Sequence, residues 1–265
     1  MTETPSGKSA LIAEVGGRNF SASWTSTEHR MRRLLAEFIG TFGLMFVLSA
    51  GAAILAKYGG GDPPSYVVAL VLSAFAALWL MLAIFFLGDI SSHFNPAMTL
   101  AFTLRGDMGW VMAGVYWIVQ FAAAISGALV ARWFFGPLGN LAATRPPAGL
   151  AWQSVAFEAL LTFGLVLMVL GMANGPKLSG AYVPFAVAAY IMALGSLGGP
   201  FEGAAMNPAR ALGPDVALWQ LGTWWVYLVG PCAGAILGVG AAWVMRGPAK
   251  SQEARAAMGD PTAAE

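Results

Sequence analysis

The 265-residue chain is 58% hydrophobic and only 10% charged, with a net charge of +1 and a mean hydropathy of +0.67. A soluble domain carries roughly 25% charged residues, so this composition excludes an ordinary soluble domain and describes an integral membrane protein. The near-zero net charge offers no surface for nucleic acid. The single Cys232 lies in an apolar segment, where it can close no intrachain disulfide and reads as a small buried hydrophobe.

Residues 1–29 are polar, contain Gly, Ser and Thr, and lack the apolar stretch of about 7–15 residues that a secretory signal carries. They are expected to form a disordered tail, as is 249–265. Crossing a bilayer takes about 20 apolar residues per helix, and six stretches meet or approach that, at roughly 31–56, 65–88, 110–134, 150–173, 181–199 and 221–245. Two shorter stretches, about 95–105 and 207–217, are too brief to span. Each begins with the same tripeptide, Asn95-Pro96-Ala97 and Asn207-Pro208-Ala209. Asn is a good N-cap, and Pro is tolerated at the first helical position, where its missing amide has no intrahelical partner. Both therefore read as starts of half-helices with their positive dipole ends at the Asn. The approaches, Gly88 to Phe94 and Gly198 to Met206, are tolerable at membrane depth only if they line a wet cavity or pack in protein.

The segment Ala36-Glu37-Phe38-Ile39-Gly40-Thr41-Phe42-Gly43-Leu44 is echoed by Phe157-Glu158-Ala159-Leu160-Leu161-Thr162-Phe163-Gly164-Leu165. The halves, about 31–134 and 150–245, are thus repeats. Three spans per half is an odd number, so the second copy inserts upside down. Inverted repeats of this kind place a binding or conduction site at the bilayer midplane. Arg30, Arg32, Arg33, Arg105, Lys177, Arg246, Lys250 and Arg255 fall on one side, against Lys57, Arg145, Arg132 and Arg210; the positive-inside rule puts both termini in the cytoplasm. Gly230, Gly234 and Gly238, with Ala123 and Gly127, form small-residue ladders for helix packing or subunit contact.

Glu37 and Glu158 are carboxylates inside spans, costly unless partnered. They are expected to accept hydrogen bonds from backbone amides of the two approaches, a proton relay being the alternative. His93, two before Asn95, is expected to brace its loop, with gating by protonation as the other possibility. No nucleophile–base pair, metal-ligand cluster or phosphate cradle stands out, so neither an enzyme nor a cofactor is expected.

The stretches Ala36 to Thr41, Gly88 to Ala97 and Gly203-Ala204-Ala205-Met206-Asn207-Pro208-Ala209-Arg210-Ala211-Leu212-Gly213-Pro214 resemble the aquaporins, the major intrinsic protein family, over about 30–248. The resemblance implies an all-α membrane protein of six transmembrane helices and two re-entrant half-helices, assembled as a homotetramer with one pore per subunit in the plasma (inner) membrane. It also implies that Asn95 and Asn207 donate N–H groups into the pore, and that Arg210 forms a selectivity filter with Gly195, Ala204 and a helix-two residue. That residue is Phe75 or Ala76, because the loop from Gly88 to Asn95 is one residue shorter than is usual in the family. Glu202 departs from the family's small hydroxyl residue; it is expected to pair with Arg210 or to add negative potential at the mouth. Asp89 is expected in the cytoplasmic vestibule and Asp215 in a loop contact.

Gly195 stands where strict water channels place His, which resembles aquaglyceroporins and nodulin-like intrinsic proteins. Ala211 in place of Asp, and Tyr227 in the sixth span, resemble water channels instead. The reading is a passive channel for water and small uncharged solutes such as glycerol, urea or metalloid acids. A strict water channel, a proton-coupled transporter using Glu37 and Glu158, and a non-conducting junctional protein stay open.

Overall fold

Apolar runs bordered by glycine and proline fold into eight α-helices among the described residues, which in the computed structural model are 27–60, 63–173 and 182–247. They are α1 (Thr27–Tyr58), α2 (Ser65–Leu87), α3 (Pro96–Arg105), α4 (Trp110–Phe135), α5 (Ala151–Ala173), α6 (Val183–Glu202), α7 (Pro208–Leu218) and α8 (Trp224–Arg246), with a short 3-10 stretch at Leu138–Ala142. α1, α2, α4, α5, α6 and α8 are long and apolar enough to cross a membrane. α3 and α7, with 10 and 11 residues, reach only about 15–17 Å. End to end, the two match one hydrocarbon thickness of about 30 Å.

Three boundaries differ from the sequence reading by three residues or more, one of them the start of α8 at Trp224 rather than 221. α1 begins at Thr27, so residues 27–29 of the expected tail are helical; the rest of that tail, the stretch 249–265 and Lys177 lie outside the described residues. α6 runs through Pro200 to Glu202, so the second approach begins at Gly203 and not at Gly198. A proline removes one helical hydrogen bond, but Gly203 N donates to Gly199 O at 3.1 Å and closes the next turn. The helix ends where Gly203 takes φ +103°, a left-handed conformation natural to glycine.

The inverted repeat is visible in the packing. α1 lies along α4 as α5 lies along α8, α2 meets α6 across the halves, and each half-helix leans on the last span of the opposite half, α7 on α4 and α3 on α8. Close approach explains the glycines. A Cβ on Gly127 of α4 would stand 2.5 Å from Phe42 O of α1, and one on Gly234 of α8 would stand 2.3 Å from Ala159 O of α5. Gly230 and Gly238 meet α5 in the same way, at 2.6 Å from Glu158 Cβ and 2.9 Å from Val166 Cβ. The α8 ladder is therefore buried within the chain.

The 3-10 stretch is an element the sequence reading did not include. Gly139, Asn140, Leu141 and Ala142 all have positive φ, Leu141 is fully buried, and Ser49 Oγ of α1 donates to Leu141 O at 2.9 Å. Its only trace in the sequence is the pair of turn-forming dipeptides Gly136-Pro137 and Gly139-Asn140.

Candidate functional site

Asn95 and Asn207 cap α3 and α7 from extended backbone, at φ −158° and −154°. Asn95 Oδ1 accepts from Ala97 N at 2.8 Å. Asn207 Oδ1 accepts from Ala209 N at 3.0 Å and Arg210 N at 3.3 Å. Pro96 and Pro208 fill the first helical position, and their carbonyls accept from Trp117 Nε1 at 3.1 Å and Trp224 Nε1 at 3.2 Å. With each amide oxygen held by its own helix, the amide nitrogen reaches into the other half. Asn95 Nδ2 donates to Met206 O at 2.8 Å, and Asn207 Nδ2 donates to Phe94 O at 2.9 Å. The accepting residues precede the opposite Asn, and both adopt left-handed backbone, at φ 49° for Phe94 and 50° for Met206. Such a conformation costs a non-glycine residue on the order of 1–3 kcal/mol and persists only where its surroundings hold it. An amide NH2 carries two donors, so each Asn keeps one beyond this reciprocal bond.

The two buried carboxylates hold those strained turns. Glu37, fully buried, accepts from His93 N, Phe94 N and Ser91 Oγ, each at 2.7 Å, and from Gln120 Nε2 at 2.8 Å. Glu158, equally buried, accepts from Ala205 N at 2.5 Å and Met206 N at 2.7 Å. Buried backbone amides need partners, and these four lie outside any helix ladder. His93 Nδ1 shares a hydrogen bond with Thr99 Oγ1 at 3.1 Å, and its ring stacks on Phe102 at 4.5 Å between centroids.

A cavity of about 1130 Å³ has both Asn95 and Asn207 in its wall. Its lining includes Pro64 and Ser65 at the start of α2 and Gly88 and Asp89 beyond its end, so it runs the length of a 23-residue helix, about 34 Å. Arg210, Gly195, Ala204, Ala76 and His93 line it too. Arg210 is 8% exposed and donates from a guanidinium nitrogen to Ala142 O of the 3-10 stretch at 2.9 Å. Ala76 is on the cavity side of α2, whereas Phe75 is 41% exposed on the outer surface, its ring over Gly51 of α1.

Two residues of the site escaped the sequence reading. Ser73, one turn from Ala76, lines the cavity, and a Cβ on Gly195 would stand 2.6 Å from its Oγ. The other is Ala142, whose carbonyl holds Arg210. Hydroxyl and alanine on apolar helices or turns carry no motif, so only the α2–α6 contact and the turn geometry reveal them.

Glu202 departs from the first expectation placed on it, a pair with Arg210. It is 2% exposed, its Oε1 accepts from Ala204 N at 2.8 Å, and its carboxyl lies beside that of Glu158. It makes no ion pair with Arg210 among the described residues and does not line the cavity. The turn at Gly203 sends it behind the loop. Asp215 is bound by Arg145 of the α4–α5 connection.

Six spans, two half-helices meeting through their capped N-termini, and a cavity along the seam between inverted halves define a membrane channel of the re-entrant type. The sequence model of the major intrinsic protein family matches residues 23–242, and the chain belongs to that family. It is 34% identical over 217 residues to aquaporin NIP1-4 of Oryza sativa subsp. japonica, covering 82% of this chain and 77% of that one. It is 33% identical over 222 residues to aquaporin NIP6-1 of Arabidopsis thaliana, covering 83% and 71%. Among solved structures, the aquaglyceroporin from Plasmodium falciparum superposes with a TM-score of 0.66 at 23% identity, over 80% of this chain and 94% of that one.

Proposed function

We propose that the cavity is the conduction path of a passive channel for water and small uncharged solutes, with glycerol, urea and undissociated metalloid acids within its range. The observation that carries this reading is the reciprocal bonding of Asn95 and Asn207 across one lumen. A permeating molecule there meets one free N–H from each Asn and the positive ends of two half-helices, which oppose protons and cations without a titratable group. Arg210 adds a fixed positive charge and donors that never deprotonate. The small residues Gly195, Ala204 and Ala76 line the same lumen, an arrangement that leaves room for solutes wider than water. The names of the relatives, aquaporins of the NIP type and an aquaglyceroporin, agree with that range. We place the chain as a homotetramer in the plasma (inner) membrane, each subunit with its own path.

Stopped-flow light scattering on proteoliposomes, with water, glycerol, urea and boric acid side by side, tests this. The channel accelerates all four over empty vesicles. Acceleration of water alone selects a strict water channel, and rates equal to empty vesicles overturn conduction altogether.

A further inference from the structure

We infer that Glu202 is a positioning residue that carries a proton and donates it, as a carboxylic acid O–H, to the Glu158 carboxylate, thereby fixing the loop that presents Ala204, Ala205 and Met206 to the lumen. The inference deepens the conduction reading above, since that loop lines the same cavity.

The internal repeat supplies the argument. In the first half, Glu37 is saturated by two backbone amides, from the residues one and two before Asn95, and by two side-chain donors, Ser91 Oγ and Gln120 Nε2. In the second half, Glu158 receives the equivalent two amides, from the residues one and two before Asn207. The side-chain donors are replaced. Gln120 lies three residues after Trp117, which donates to Pro96 O; its counterpart, three after Trp224, which donates to Pro208 O, is Tyr227. Tyr227 OH donates to Glu202 O at 2.8 Å and not to Glu158. The counterpart of Ser91, four before Asn95, is Gly203, four before Asn207, which has no side-chain donor; the side chain beside Glu158 is that of the preceding Glu202.

An ionised carboxylate is an acceptor only. Glu202 Oε1 has Ala204 N, but Oε2 is buried without a donor. A single proton on Oε2 supplies the missing hydrogen bond between the two carboxyls and removes the repulsion of two buried like charges. The charges around the pair agree. Arg210 of α7 supplies positive charge to the pair's electrostatic surroundings without bonding to either carboxyl, Tyr227 from α8 already donates to Glu202 O, and Asp215 on α7 is held by Arg145, whose backbone N–H also donates to Glu202 O at 3.0 Å. One guanidinium balances one carboxylate. Two carboxylates would leave an uncompensated buried charge, which is strongly unfavourable.

Infrared difference spectroscopy of the purified full-length chain at neutral pH, wild type minus E202Q, tests the proton itself. A protonated-carboxyl C=O stretch, displaced by hydrogen–deuterium exchange, is expected in the wild type and absent from E202Q; its absence from the wild type overturns the inference. Permeability supplies the second arm. Gln keeps both an acceptor for Ala204 N and a donor for Glu158, so E202Q holds the glycerol-to-water permeability ratio within about twofold, while E202A, which leaves Ala204 N without an acceptor and Glu158 one donor short, shifts it by roughly fivefold or more. Equal ratios in E202A and E202Q contradict positioning, and if E202A does not fold, the infrared arm decides alone. Proteoliposomes that conduct nothing defeat the conduction reading, whereas the infrared band tests the shared proton whether or not the lumen conducts.

Discussion

At the scale of single residues, the site is built by giving each polar group one fixed task. Asn207 spends its oxygen on the N-terminus of α7 and one hydrogen on Phe94 O. Replacement by Ala removes a cap, typically about 1 kcal/mol, and a cross-lumen hydrogen bond of about the same size. Asn207→Ala is therefore expected to lower stability by about 2 kcal/mol, read as a fall in thermal midpoint in detergent; an unchanged midpoint contradicts the cap. Gly195 carries a different prediction. It lines the cavity and a Cβ there would meet Ser73 Oγ at 2.6 Å, so a side chain must displace Ser73 and take up lumen, and Gly195→His is expected to cut glycerol, urea and boric acid flux by roughly tenfold, a barrier change of about 1.4 kcal/mol, while largely sparing water. Stopped-flow rates for the four permeants check it, and equal loss of all four contradicts this placement of Gly195.

At the scale of elements, most of the fold was legible because apolar length and helix-start chemistry are local properties. The starts of α3 and α7 are set by Asn, Pro and the residues around them. The end of α6 was not legible: Gly198-Gly199-Pro200 reads as a helix break, yet packing of Gly199 against Ala69 of α2 keeps the helix going to Gly203. The 3-10 stretch was hidden because its left-handed turn is held by Ser49 and Ala52 of α1, contacts far away in sequence. The choice between Phe75 and Ala76 depended on whether the short loop or the helix end absorbs a missing residue. The direction of Glu202 depended on one glycine's φ. Packing also separates glycines that look alike. A side chain at Gly234 meets Ala159 O and Phe163 N, both backbone, whereas one at Gly240 meets nothing within 4 Å. Gly234→Leu is expected to destabilise by at least about 1–3 kcal/mol through overpacking, and Gly240→Ala to stabilise by about 0.5–1 kcal/mol through helix propensity. Thermal unfolding of the two variants in one detergent checks both; equal effects contradict the α5–α8 contact.

At the scale of the whole molecule, an even number of spans brings the start of α1 and the end of α8 to one face. Several of the basic residues counted for orientation are engaged within the fold: Arg105 pairs with Asp107 at 2.5 Å, Arg145 pairs with Asp215, Arg33 Nε donates to Tyr116 OH at 2.7 Å, and Arg132 and Arg210 donate to the carbonyls of Ala217 and Ala142. Orientation then rests more on the arginines at the chain's ends, and tags at the two termini are expected to be digested together by protease from the cytoplasmic face of sealed vesicles; digestion of one alone contradicts an even span count. Everything else depends on a single lumen shared by the two halves. The direct test uses Ala76→Cys and Phe75→Cys, each in a Cys232→Ser background that leaves no other thiol, in proteoliposomes treated with a small thiol-reactive reagent. Ala76→Cys is expected to lose water and glycerol permeability and to recover both on reduction, while Phe75→Cys keeps both; block of Phe75→Cys with Ala76→Cys unaffected would contradict the account.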